Sequence, residues 1–375
     1  MTIPNWNDAK NLLCIRLDTI GDVLMTTPAL RSLKESVPNR RLTLLTSSAG
    51  SAIASLIPEL DRTIVYDAPW LKATAPRADS RPELEMIEYL RSLQFDAAVI
   101  FTVYSQNPLP SAFLCYMADI PLRLAHCHEN PYQLLTHWVK DPEPDAGIRH
   151  EVQRQLDLVA EIECRTDHEH LSLQVKEADR ESVRSRLNSL PLNVDCPWVI
   201  IHPGATAASR RYPPEGFAVV ADQLSLLGYP VVFTGSEWEA ELVDRIRSLM
   251  NSSANSLACC LSLGELAALI AIAPVLISNN TGPVHIAAAV GTPVVDLYAL
   301  TNPQHTPWQV PHRLLFHDVP CKYCYKSVCP EGHHDCLRQV SPSAIVAATC
   351  ELLAESARSP LIFHAPSSML STRLV

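Results

Sequence analysis

A strand–loop–helix alternation that runs through the chain twice constrains its fold more than any other feature. Leu12–Leu17 is a short apolar run that ends in Asp18-Thr-Ile-Gly-Asp22, and a helical pattern follows over Val23–Val37. Leu42–Thr46, Thr63–Tyr66 and Ala97–Phe101 read as further strands, separated by the helical segments Ala49–Leu56 and Glu83–Leu93. A helical pattern reaching about Cys164, another over Glu177–Leu190 and the break Pro191–Pro197 close the first run. The alternation then restarts, with strands Trp198–His202, Val231–Thr234, Val275–Ser278 and Val294–Tyr298 and helices Pro213–Leu227, Glu239–Met250, Leu263–Ile272 and Val284–Val290. Strands separated by helices predict a parallel sheet covered on both faces, so two runs predict two Rossmann-like α/β domains. The expected divisions are 1–175, 176–356 and a tail, 357–375, that is weakly ordered or packs back on a domain. A length of 375 residues fits two domains of ordinary size.

Charge and hydropathy remove several classes. Lys plus Arg is 30 against 40 Asp plus Glu, a net charge of −10, which argues against a broad nucleic-acid footprint. The longest apolar stretch, Leu266–Ile277, contains Pro274 and falls short of the roughly 18 residues that a membrane span needs. The N-terminal residues carry no basic-then-apolar leader pattern, so a cytoplasmic protein is expected.

In parallel sheets ligands bind beyond the carboxyl ends of strands, so the loops that follow strands are the candidates for chemistry. After the first strand come Gly21 and Asp22; the carboxylate reads locally as a helix N-cap. His202-Pro-Gly204-Ala-Thr206-Ala-Ala-Ser209-Arg210-Arg211 joins a strand to a helix. Gly204 would let a ligand approach the backbone, and the two arginines could pair with phosphate oxygens, or the loop could simply be solvated. Asn279-Asn280-Thr281-Gly282-Pro283-Val-His285 opens a helix whose free N–H groups suit a diphosphate. Glu237, Glu239 and Glu241 follow another strand, where a carboxylate can accept sugar hydroxyls or complement a helix N-terminus. No GxGxxG turn follows the first strand, which argues against a dehydrogenase or epimerase.

The chain has 12 cysteines. Cys14, Cys115, Cys259 and Cys260 sit in apolar patterns and are expected to be small buried hydrophobes. Cys321, Cys324, Cys329 and Cys336 cluster around His333 and His334. They read either as a structural zinc or iron site or as reduced thiols pinning an irregular loop.

Together these loops resemble glycosyltransferase family 9, the ADP-heptose:lipopolysaccharide heptosyltransferases. The resemblance rests on Ile15-Arg-Leu-Asp-Thr-Ile-Gly-Asp-Val-Leu-Met-Thr-Thr-Pro28, on His202-Pro-Gly-Ala with its basic pair, and on Asn280-Thr-Gly-Pro-Val-His285 followed by Gly-Thr-Pro-Val-Val. It implies the GT-B fold, two Rossmann-like domains with parallel sheets facing a central cleft, and an inverting transfer that needs no catalytic cofactor. Asp22 matches the family's general base. Gly204, Thr206, Arg210, Glu239, Asn280, Thr281, Gly282 and His285 match donor-binding positions. The implied partners are an ADP-sugar donor and a glycan or glycolipid acceptor, with no nucleic acid and at most peripheral contact at the inner face of the inner membrane. Two positions depart from the family: Arg210 stands where lysine is common, and Asn280 where many members have aspartate. The cysteine cluster resembles that of iron-containing, protein-modifying members, which makes protein O-heptosylation one alternative. A nucleotide-sugar-binding protein without transferase activity is another. No motif marks the acceptor contacts, which are expected in the loops Thr102–Pro110 and Leu124–Tyr132.

Overall fold

In the computed structural model, residues 5–193 and 196–358 are described. The first sheet holds β1 (Asn11–Ile15), β2 (Arg41–Thr46), β3 (Arg62–Val65), β4 (Ala97–Ile100), β5 (Leu122–Cys127) and β6 (His137–Lys140) in the order β3-β2-β1-β4-β5-β6. The second holds β7 (Val199–His202), β8 (Val231–Phe233), β9 (Asn255–Ser256), β10 (Leu276–Asn279), β11 (Val294–Leu297) and β12 (His312–Leu315) in the order β12-β11-β10-β7-β8-β9. Every neighbouring pair is parallel. Counted from its own first strand, each sheet has the order 3-2-1-4-5-6, the doubly wound arrangement in which the chain reverses direction between strands 1 and 4. The switch points therefore lie between β1 and β4 and between β7 and β10.

Helices α1 (Ile20–Ser36), α2 (Ser48–Ala54), α3 (Arg81–Ser92), α4 (Leu109–Met117) and α5 (Glu151–Ala160) belong to the first sheet's run. With the second come α6 (Glu177–Asn188), α7 (Pro214–Leu226), α8 (Ala240–Leu249), α9 (Leu263–Ile272), α10 (Gly282–Val290), α11 (Asp335–Arg338) and α12 (Pro342–Arg358). Outer-face cores lie on each sheet, built on Leu13, Ile15 and Ile100 in one and Val199, Ile201 and Phe233 in the other. A third cluster runs through both units, from Leu24 and Leu30 of α1 and Val152 and Val159 of α5 to Ala267 and Ile270 of α9 and Ile286 of α10. This shared core sets α1 against α10. The expected tail lies almost wholly outside the described residues.

Pro28 sits inside α1, where a missing N–H would strand the carbonyl of Leu24. The Thr27 hydroxyl donates to that carbonyl at 2.7 Å, and the Thr26 hydroxyl donates to the carbonyl of Asp22 at 2.8 Å. The Thr-Thr-Pro sequence thus gives the carbonyl that Pro28 leaves without an N–H a local donor from its own side chains.

Several local expectations are corrected. Gly21 and Asp22 are not in a turn before the helix but in the first turn of α1. The expected acceptor loop Leu124–Tyr132 begins instead within β5, a strand buried along its whole length. Cys14 and Cys115 are buried as expected, whereas Cys259 and Cys260 are exposed. They follow the short edge strand β9, where the chain turns with Cys259 at φ 61°.

Candidate active site

Both switch points open onto the same cleft. Its first wall begins at the end of β1, where Arg16, wholly buried, holds three carboxylates: Asp18 at 2.9 Å, Asp22 at 3.2 Å and Glu151 at 2.7 Å. Asp22 is the third residue of α1, and Thr19 is the N-cap. Asp22 Oδ2 accepts the Thr19 N–H at 3.1 Å and its hydroxyl at 2.8 Å, while Oδ1 faces Arg16. The local N-cap reading is therefore displaced by one half of a capping box: Asp22 returns a bond to the cap rather than being the cap. Both oxygens are oriented, and the side chain keeps 15% exposure toward the cleft. Burial by itself would raise its pKa, but Arg16, His305 and the Thr19 bonds outweigh it and hold the carboxyl well below the usual range. Asp18 goes the other way. Burial, opposed by Arg16 and reinforced by Asp22, pushes it up to about 6.

The opposite wall rises from β7 and β10. Gly204 follows β7, and a Cβ there would lie 1.8 Å from Glu239 Oε1, so the glycine is what lets Glu239 lie against the loop. Glu239 Oε2 accepts the N–H of Ser236 at 2.8 Å and stands 3.7 Å from His202 Nε2, whereas Glu237 and Glu241 are exposed. Arg210 Nη2 donates to Asn302 Oδ1 at 3.2 Å. Arg211 does not join it. Its guanidinium donates to the carbonyls of Ala205 and Thr206, closing its own loop, and Thr206 is exposed. Thr281 caps α10, with Gly282 as its first residue. Pro283 has no N–H and that of Val284 returns to Thr281, so Gly282 presents the amide at the helix's positive end.

Asn280 was expected to contact the donor directly, but it is 2% exposed. Its amide donates to Asp296 Oδ2 at 2.8 Å and to the carbonyl of His305 at 2.9 Å. Burial pushes the Asp296 carboxyl up to about 8, with Asn280 and Arg210 pulling back. This accounts for the amide at position 280: a second carboxyl there would meet Asp296 at hydrogen-bond distance in a dry interior.

The two walls meet at one close approach. A Cβ on Gly21 would lie 2.6 Å from His285 Cδ2, and one on Gly282 would lie 3.7 Å from Ile20 Cγ2. The N-termini of α1 and α10 thus face each other. His285 is 4% exposed and serves as the packing partner of Gly21. Gly21→Ala is expected to lower kcat at least tenfold by prising the two helix ends apart, with fold retained by circular dichroism; unchanged kcat would show that this contact does not set the cleft.

The structure adds residues that no motif indicated. Asn302 Nδ2 donates to His305 Nδ1 at 2.9 Å, leaving the ring proton on Nε2, which has no partner. This loop follows β11, as ligand-binding loops in such sheets do. It is tied to the first unit through the Glu151 N–H to the Gln304 carbonyl at 3.0 Å and His150 Nε2 to the Thr306 carbonyl at 2.9 Å.

Burial lowers His285 to about 3, and His305 and His126 to about 4. Unfolded histidines titrate near 6.5, so the unfolded chain binds protons first as the pH drops. The stability these rings lend is complete above about pH 6.5 and is lost progressively toward pH 4. Urea midpoints are expected to fall across that window, and His126→Asn to flatten part of the slope; a midpoint constant from pH 7 to 4.5 would contradict this.

The cysteine loop packs beside the second wall: the Ser209 hydroxyl donates to the Lys326 carbonyl at 2.7 Å. Cys321 Sγ lies 3.7 Å from His333 Nε2, and burial raises the Cys336 thiol, with smaller contributions from Cys329, Cys321 and Cys324. Among the described residues, however, no three His, Cys, Asp or Glu side chains converge closely enough to hold a metal ion. The zinc or iron expectation at Cys321, Cys324, Cys329 and Cys336 is not met by this geometry. Cys321 and Cys336 are instead drawn into a small apolar cluster with Tyr298, Leu300 and Val319.

Comparison with known proteins agrees with this architecture. Residues 84–334 match the model of glycosyltransferase family 9 (heptosyltransferase). Lipopolysaccharide heptosyltransferase 2 of Escherichia coli K12 is 26% identical over 350 residues, covering 89% of this chain and 96% of that protein. The lipopolysaccharide core heptosyltransferase OpsX of Haemophilus influenzae is 24% identical over 307 residues, covering 81% and 83%. Among solved structures, a family 9 glycosyl transferase from Veillonella parvula superposes with a TM-score of 0.76 at 23% identity, covering 94% of this chain and 98% of that one. The E. coli ADP-heptose lps heptosyltransferase II gives 0.71 at 24%, covering 92% and 99%. Two doubly wound sheets, loops converging from both switch points on one cleft and a family match over most of the chain lead to one conclusion: this protein belongs to glycosyltransferase family 9 and is a transferase of the GT-B fold.

Proposed function

We propose that the chain transfers a heptosyl residue from an ADP-sugar to a hydroxyl of a lipopolysaccharide-core sugar, with inversion at the anomeric carbon. The observation that carries this reading is the opposition of an oriented carboxylate, Asp22, to a cationic wall, Arg210 with the N-terminus of α10, across one closed contact. Asp22 takes the proton of the acceptor hydroxyl as its oxygen bonds to the anomeric carbon. The carbon–oxygen bond to the diphosphate breaks on the far side, and ADP leaves toward Arg210 and the Gly282 amide, which face its growing charge. Glu239, beside Gly204, accepts donor hydroxyls. Asn280 and Asp296 act from below by holding the loop that carries His305. The diphosphate's negative charge, brought to the opposite wall, also makes Asp22 a stronger base when the donor is bound.

Support for the sugar and acceptor comes from the relatives, which are named as heptosyltransferases of lipopolysaccharide and lipooligosaccharide. A related structure, E. coli heptosyltransferase WaaC, holds ADP-2-deoxy-2-fluoro heptose. Among the described residues no helix is long and apolar enough to cross a membrane. We place the work at the inner face of the inner membrane, with peripheral contact only.

The test is a donor screen of the purified protein with ADP-, GDP- and UDP-sugars and truncated core acceptors. ADP release from ADP-heptose is expected only when acceptor is present, with an inverted linkage by NMR. Turnover with a GDP- or UDP-sugar alone, or a retained linkage, would overturn the reading.

A further inference from the structure

The proposed transfer leaves one buried side chain beside Asp22 and Arg210 without a task. His305 lies in the loop after β11 and is 8% exposed. Both of its neighbours are fastened to the first unit: the Gln304 carbonyl accepts the Glu151 N–H at 3.0 Å, and the Thr306 carbonyl is 2.9 Å from His150 Nε2. Its own groups are fastened to the second unit: its carbonyl accepts the Asn280 amide at 2.9 Å, and its Nδ1 accepts Asn302 Nδ2 at 2.9 Å. The loop is thus pinned across the cleft with the ring held in one orientation. The charges that act on that ring most strongly are Asp22 on one wall and Arg210 on the other.

One carboxamide assigns the tautomer. Asn302 Oδ1 accepts the Arg210 guanidinium at 3.2 Å and the Thr301 hydroxyl at 2.9 Å, so the other end of that amide is the NH2. The NH2 donates to His305 Nδ1, which is therefore the bare nitrogen, and the ring proton sits on Nε2. Burial, with Arg210, Arg16 and His150 on its side and Asp22 against it, keeps the ring neutral. Nε2–H is then a donor that cannot accept. It is closed to water and has no partner among the described residues. Buried donors are nearly always paired, so this one calls for an acceptor from outside the chain.

The chemistry of the transfer selects that acceptor. A bond to the attacking hydroxyl would draw on the lone pair that must reach the anomeric carbon. A sugar hydroxyl is both donor and acceptor, and only half of it would be met here. An oxygen of the leaving diphosphate only accepts, as Nε2–H only donates, and its charge strengthens the bond. Arg210, which faces that diphosphate, is wired to His305 through the same Asn302 side chain.

We infer that His305 is a further catalytic residue, whose Nε2–H donates to an oxygen of the departing diphosphate beside Arg210 and the Gly282 amide. This rests on the transfer reading above and adds a neutral donor to the leaving-group side. In the step, the acceptor oxygen bonds to the anomeric carbon and gives its proton to Asp22. The electron pair of the breaking carbon–oxygen bond passes to the β-phosphate, and His305 keeps its own proton throughout. Because Nε2 is closed to water, the diphosphate meets it only as the incoming donor parts the two walls.

The test uses the full chain, labelled with nitrogen-15 at histidine, with ADP, AMP and ADP-heptose as probes. In long-range proton–nitrogen spectra the His305 ring, identified by its loss in His305→Gln, is expected to show a bare Nδ1 and a protonated Nε2. ADP should shift the Nε2–H proton, and AMP, which lacks the β-phosphate, should shift it far less. His305→Ala should lower kcat about 10²–10³-fold, the usual effect of removing one donor to a developing charge, and weaken ADP more than AMP. His305→Gln, which returns an N–H near Nε2, should recover at least tenfold of that loss. His305→Asn, whose amide reaches only as far as Nδ1, should not. Thermal melting of each variant reads the loop's stability separately. Rates that follow the melting temperatures rather than the returned N–H would make His305 structural and overturn the inference. So would an Nε2–H that ADP does not move, or that AMP moves as far. Intact transfer with a His305→Ala kcat within threefold of the parent removes His305 alone. An ADP-induced shift of Nε2–H with no transfer to any acceptor defeats the transfer reading while His305 stands as a diphosphate donor.

Discussion

Asp22→Asn is expected to lower kcat by about 10³-fold or more while changing donor affinity less than threefold. General-base catalysis contributes roughly 10²–10⁴ in rate, and the amide keeps the shape of the carboxylate without its basicity. Asn can still present its oxygen to the Thr19 N–H and hydroxyl, which preserves the start of α1, while its NH2 takes the place of the oxygen that faces Arg16, so circular dichroism checks the fold. The proposed diphosphate contacts, Arg210 and the Gly282 amide, belong to the other unit. Single-turnover kinetics with ADP-heptose and acceptor, with calorimetry for the donor alone, separates the two effects. Full activity of the variant would remove Asp22 from the chemistry. A matching loss of donor affinity would instead show that the carboxylate organises the whole cleft.

Arg210→Ala is expected to act on the other side of the bond being broken. Removing one group that stabilises a developing charge costs about 10²–10³ in kcat, and the ground-state diphosphate loses the same cation, so donor KM should rise as well. The guanidinium is held by Asn302, which also fixes His305, so the truncation frees this loop too. Arg210→Lys discriminates between charge and geometry: lysine restores the charge but not the fork that reaches Asn302. Recovery of most of the activity by lysine would mean that charge suffices. A lysine variant as poor as alanine would mean that the Arg210–Asn302–His305 chain matters. An alanine variant with kcat within threefold of the parent would place the leaving group elsewhere.

Much of this site was legible before any coordinates. The motif loops are local: Gly21-Asp22, Gly204 and Thr281-Gly282 each occupy a strand-to-helix junction, and junctions are written in short-range sequence. Asn302 and His305 were missed because they stand in a Pro-rich loop with no motif, after a strand whose own pattern was recognised. Asp18 was seen as part of a turn, but its pairing with Asp22 on Arg16 depends on the side chains folding back beneath α1. The part of β5 that falls in the expected loop Leu124–Tyr132 escapes sequence pattern because a fully buried strand shows no alternation, and His126 interrupts its apolar run.

The alternation of strands and helices determined the architecture by itself, because each amphipathic helix must cover a sheet and parallel strands require crossovers. Local sequence likewise marked the strand-to-helix loops that border the cleft. The tertiary structure alone decided which side chains in those loops point into it. It turned Arg211 back on its own loop and Arg210 to the cleft, sank Asn280 onto Asp296, and gathered Cys321 and Cys336 into an apolar cluster rather than a ligand set. The physical reason is the same each time. Burial and pairing depend on groups that lie far apart in the chain, and those meet only when the two sheets dock through the shared core that sets α1 against α10.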